Sequence, residues 1–128
     1  MGTSTIGKVL VTAKLENLVD VEMRERGKIL PEDVRTIEVT DALVDTGAKA
    51  LLVPKRLIAQ LGLRQFKTRS ARGIVGTAQM PIYSAVRLTI QGRECALDVG
   101  EIDDSFPVLI GRFPWKASIG WSIRHASV

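Results

Sequence analysis

The amino-acid sequence predicts a mostly β fold. Apolar and polar residues alternate along several segments, short reversals separate those segments, and only two stretches carry helical spacing.

Val9, Val11, Ala13 and Leu15 face one way and Lys8, Thr12, Lys14 and Glu16 the other, with Leu10 the exception. This pattern is a strand with one apolar face. Val19, Val21 and Met23 alternate with Asp20, Glu22 and Arg24, which predicts a second strand after a turn at Glu16-Asn17. Arg26-Gly27-Lys28 suits the next reversal. Ile37 and Val39 open a strand that runs into Ala42-Leu43-Val44. Pro54 to Leu61 reads as a helix: Leu57, Ile58 and Leu61 share a face, Pro54 suits the first turn and Gly62 the stop. Val86, Leu88 and Ile90 alternate with Arg87, Thr89 and Gln91, and Gly92 turns the chain into Cys95, Leu97 and Val99. A shorter helix is expected after Gly111, with Pro114 near its start and Gly120 beyond it, then a strand over Trp121 to Val128.

With 128 residues, 45% hydrophobic and 25% charged, the chain is expected to form one domain whose core buries roughly two-thirds of the unfolded surface. No apolar stretch is long enough to span a bilayer, and the first residues lack the layout of a signal peptide. The single cysteine, Cys95, excludes an internal disulfide and suits a reducing compartment. A cytoplasmic protein with no membrane partner is expected. The net charge of +4 is partly concentrated in Arg64, Lys67, Arg69 and Arg72. Only Phe66 is interleaved with them and no nucleic-acid motif surrounds them, so they read as a solvated loop or hairpin arm rather than a nucleic-acid site.

The chemistry-bearing feature is Ala42-Leu43-Val44-Asp45-Thr46-Gly47-Ala48, an apolar run ending in an acid, a hydroxyl and a glycine. A carboxylate at the end of a buried strand is costly unless hydrogen bonds or a function compensate. Without a second signal, Asp45 could simply tie a turn. That signal is an echo downstream, Val108-Leu109-Ile110-Gly111, which again places an apolar run before a glycine.

Asp-Thr-Gly-Ala preceded by an apolar pair, and followed far downstream by Pro107-Val108-Leu109-Ile110-Gly111-Arg112, resembles the retroviral-type (retropepsin-like) aspartic proteases, especially their cellular and bacterial single-domain members. The resemblance covers roughly residues 34–120, with 1–33 as additional N-terminal strands and 121–128 as a C-terminal strand at a dimer interface. It implies a closed, twisted acid-protease β barrel with one or two short helices, forming one half of a two-fold homodimer. It also implies an aspartic endopeptidase acting on polypeptide without metal or cofactor. Asp45 would be the catalytic acid, paired with its copy across the dimer axis. Thr46 would bridge the two loops, and Gly47 would leave room for substrate backbone. Ala48, Lys49 and Arg112 would contact substrate, and Ile74, Val75 and Gly76 would do so from a flap hairpin spanning Arg72 to Ala78.

Lys49 departs from the family pattern, which commonly has an acid there to pair with the arginine of the second motif. Lys49 and Arg112 would repel unless Glu101, Asp103 or Asp104 intervenes. This departure keeps open a catalytically silent dimerisation or peptide-binding module. A nucleophile pair of Cys95 with His125 has nothing in the sequence to bring it together.

Overall fold

The computed structural model describes residues 8–45, 50–73 and 76–111. Among these residues, seven strands and two helices follow in the order β1 (Lys8–Asn17), α1 (Leu18–Glu25), β2 (Thr36–Asp45), β3 (Leu51–Pro54), α2 (Lys55–Leu61), β4 (Arg64–Gly73), β5 (Gly76–Ile90), β6 (Arg93–Ile102) and β7 (Leu109–Ile110), with a 3-10 turn at Pro31–Asp33 before β2. The strands run β1-β2-β7-β3-β6-β5-β4 across one sheet, and an additional pairing joins β1 to the penultimate strand β5. Six strands therefore close into a barrel, as expected, and β4 stands outside the ring as the partner of β5 alone among the described residues.

Closure depends on β1. Its length pairs antiparallel with β2, while Lys14 to Asn17 also pair with Thr89 to Val86 of β5. At the seam Glu16 stands directly opposite Arg87, whose Nε donates to Glu16 Oε1 at 2.9 Å. Both side chains are largely withdrawn from water, so each charge depends on the other. A register shift between Val11 and Ala13 leaves an extra residue on β2. One extra residue inverts the side-chain phase. Ile37 and Val39 therefore point inward before it, and Ala42 and Val44 after it.

The core is the barrel interior. Leu15, Val53, Val86, Leu88, Val99 and Ile110 are its near-fully buried centre. Leu57, Ile58 and Leu61 of α2 cap one flank. The helix expected from Pro54 starts one residue later, with Pro54 as its N-cap at the end of β3, and Gly62 ends it as expected, in the left-handed region at φ 65°. The β5–β6 hairpin also forms as expected, through Gln91 and Gly92, both at positive φ.

One expected strand is a helix. Val19 to Met23 lie in α1, and β1 runs on to Asn17 instead of turning at Glu16-Asn17. Asn17 explains the change. Its Oδ1 accepts from the Asp20 amide at 3.1 Å, which caps the first turn and fixes the chain direction. Its Nδ2 donates to the Leu61 carbonyl at 2.8 Å, tying α1 to the end of α2. Helical spacing buries Val21 and Asp20 and leaves Val19 and Met23 outward. Asp20 is held in turn by Arg35, whose Nε and Nη2 donate to its two oxygens at 2.8 and 3.0 Å, with the Arg35 amide adding a third bond.

Candidate active site

Asp45 is the last residue of β2, half-buried at the end of its apolar run. On one side Lys8 of β1 is its register partner. On the other, β7 runs parallel to β2, with Leu43 opposite Leu109 and Val44 opposite Ile110. The same β7 pairs antiparallel with β3, Ile110 opposite Leu51 and Leu109 opposite Leu52. The short strand of the second motif is thus threaded between the two strands that flank residues 46–49. Two bonds fix the thread: Leu43 N–H donates to the Val108 carbonyl at 2.8 Å, and Gly111 N–H donates to the Ala50 carbonyl at 3.0 Å. The two apolar-then-glycine runs of the sequence are neighbours in space, and Asp45 is presented where they meet.

Of the other residues singled out from sequence, Thr46, Gly47, Ala48, Lys49, Ile74, Val75 and Arg112 lie outside the described residues. So do the helix expected after Gly111 and the C-terminal strand. Gly76 opens β5 directly opposite Gly73, so the expected hairpin is present, its arms paired from Arg64–Ser84 to Gly73–Gly76 around a two-residue tip. Pairing of β5 with β6 ends at Ile82–Gly100, so the hairpin extends past the barrel as a two-stranded arm among the described residues.

The seat of this arm was not foreseen from sequence. A Cβ at Gly100 would lie 2.6 Å from Met80 Sδ and 2.8 Å from a Leu52 methyl. The bare backbone there lets Met80, at the root of the arm, pack against β3. A glycine inside an otherwise alternating strand signals such a close approach, and Val99-Gly100 carries that signal. Nearby, Tyr83 Oη donates to Glu101 Oε1 at 2.7 Å. That bond, with some burial, raises the Tyr83 pKa.

Among the described residues, the three acids named with Lys49 and Arg112 have the following partners. Glu101 accepts from Tyr83. Asp104 accepts from the Arg56 amide at 2.8 Å, and its carbonyl accepts from the Arg56 guanidinium. Asp103 accepts from the hydroxyl and amide of Ser105, which hold its carboxyl below the usual range. Among the described residues no helix is long and apolar enough to cross a membrane.

A family model described as aspartyl protease matches residues 33–112. The match spans β2 to β7, including Asp45, the arm and Gly111. No curated protein matches the chain.

Proposed function

We propose that this chain, which belongs to the retropepsin-like aspartyl protease family, is a homodimeric endopeptidase whose reaction centre is built from two copies of Asp45. The observation that carries the reading is the threading of β7 between β2 and β3, which presents Asp45 at the junction of both motifs.

The chain has one Asp-Thr-Gly triplet, so a second carboxylate must come from a second copy. A two-fold axis beside the loop would bring the two Asp45 side chains together. Two carboxylates in contact do not both ionise cheaply, so the pair holds one proton between them. The charged member takes a proton from a bound water as that water attacks the scissile carbonyl. The protonated member donates to the carbonyl oxygen and stabilises the tetrahedral intermediate. Thr46 would hold the two loops together, and Gly47 with Ala48, Lys49 and Arg112 would line the substrate backbone.

The hairpin arm would serve as the flap, with Ile74, Val75 and Gly76 closing over an extended peptide and excluding water. Peptide in such a cleft is held as an added strand, so main-chain hydrogen bonds give affinity and alternate pockets give preference. The proposed setting is a reducing compartment such as the cytoplasm, from the single cysteine.

The test is cleavage of a peptide library by wild type and Asp45→Asn from acid to neutral pH. Cleavage by wild type that vanishes in Asp45→Asn, with the fold retained by circular dichroism, is expected. Equal cleavage by both would refute the assignment. A folded wild type inert throughout would mark a non-catalytic member of the family.

A further inference from the structure

We propose that the outer edge of β4 is a docking edge for an extended acidic segment of the substrate, outside the cleft that would hold the scissile bond. The word substrate rests on the protease reading above; the chemistry of the edge does not.

Charge is the first observation. The arm from Arg64 to Pro81 contains Arg64, Lys67, Arg69 and Arg72 and no Asp or Glu. These four cations match the chain's whole net charge of +4, so the rest of the molecule is balanced. Elsewhere several arginines find carboxylates: Arg35 with Asp20, Arg56 with Asp104, Arg87 with Glu16 and Glu94. Among the described residues no carboxylate pairs with Arg64, Lys67 or Arg69, and all three are exposed.

The second observation is the edge itself. β4 is ten residues long and terminal in the sheet. Its backbone groups on the side away from β5 have no strand partner among the described residues. A long open edge pairs with other strands unless something blocks it. Here the block is selective. A second copy of β4 would bring like charges face to face, whereas an acidic strand would gain both ladder hydrogen bonds and ion pairs.

Spacing fits a peptide. Lys67 and Arg69 are two residues apart and therefore on one face, the face they share with their cross-strand neighbours Ile82 and Met80. Alternate residues of an added strand repeat at the same interval, so acidic residues at alternate positions meet both cations. The arm has no row of aromatics for stacking bases: its one aromatic, Phe66, carries the Lys67 ammonium 5.3 Å from its ring centroid. A peptide strand is thus favoured over single-stranded nucleic acid.

The test uses full-length Asp45→Asn protein, so that bound peptide is not consumed, and fluorescence anisotropy. The probes share one apolar centre and differ in a flanking segment of alternating Asp or Glu against the same segment with Asn or Gln. The acidic probe is expected to bind about tenfold more tightly at low salt, and the gap to close as exposed charges are screened. Adding Lys67→Glu and Arg69→Glu, both exposed on the arm, should invert the preference. N-methylation of alternate amides in the acidic flank should remove its advantage, as strand pairing requires. Equal binding of both probes overturns the proposal, as does an advantage that survives both charge reversals. Displacement of the acidic probe by oligothymidylate at far lower concentration than by unlabelled peptide also overturns it, in favour of a nucleic-acid surface. The enzyme reading fails separately. Acid-selective binding with no cleavage of that peptide by wild type counts against proteolysis and leaves the edge standing; cleavage without acid preference does the reverse.

Discussion

The amide of Gly111 donates to the carbonyl of Ala50 at 3.0 Å, closing the second motif against the returning end of the segment that follows Asp45. Ile110, the residue before it, is fully buried and pairs with Val44 on one side and Leu51 on the other. Three strands thus share one short lock, and the catalytic geometry proposed for Asp45 depends on it.

Ile110→Ala should therefore act on stability and activity together. Loss of a fully buried isoleucine costs about 2–5 kcal/mol. Urea denaturation measures the first effect. Peptide cleavage, corrected for the folded fraction, should fall further than in Leu88→Ala, a buried change on a strand that does not pair with β7.

The barrel seam gives a second expectation. Removing Glu16 leaves Arg87, only 19% accessible, with no carboxylate but the longer Glu94 contact at 3.7 Å among the described residues. Glu16→Ala should cost about 3 kcal/mol, and the apolar double replacement Glu16→Leu with Arg87→Met should recover much of it. Denaturant midpoints of wild type and the two variants check this. Equal destabilisation by the single and double variants would show that the seam does not depend on pairing.

Acid sensitivity should trace to Asp20. The hydrogen bonds from the Arg35 guanidinium hold its carboxyl below its ordinary value of 3.8, against the opposing effect of burial. The folded form therefore releases this proton more readily than the unfolded chain. Its contribution is complete above 3.8 and is lost as pH falls through the lower folded value. Asp20→Asn should flatten the acid limb of a stability-against-pH curve measured by urea from about pH 5 to about pH 2. Gly62→Ala should do the same, because its Cβ would fall 2.0 Å from Arg35 Nη1 and displace the guanidinium, besides straining φ 65°.

The arm should loosen when its seat is filled. Gly100→Ala puts a methyl where Met80 Sδ and a Leu52 methyl now meet. Both are side-chain ends and can move, so global stability should drop by only about 1 kcal/mol. Tryptic cleavage after Lys67 or Arg69 should become several-fold faster than in wild type, as read by mass spectrometry of a time course. An unchanged rate would mean that Met80 does not anchor the arm.

Much of the barrel is written in the alternation of β1, β5 and β6, and α2 in the placing of Pro54 and Gly62. The two motifs were also legible as an echo of one another, since both runs end in the same apolar-then-glycine pattern. Two things were not. In α1, Val19, Val21 and Met23 satisfy a period of two as well as a helix does, and the side-chain bonds of Asn17 and Asp20 decide between them. The seat of the arm joins Gly100, Met80 and Leu52 from three strands, a coincidence that local spacing does not encode.

The central claim, that two copies of Asp45 make one reaction centre, is tested most directly by subunit mixing. Wild type is equilibrated with a ninefold excess of Asp45→Asn and peptide cleavage is measured. If every active unit needs an Asp45 from each of two copies, random exchange leaves about a tenth of the original wild-type activity. Undiminished activity in the mixture, with exchange verified by a tagged copy, would show that a single Asp45 suffices and would contradict the shared centre.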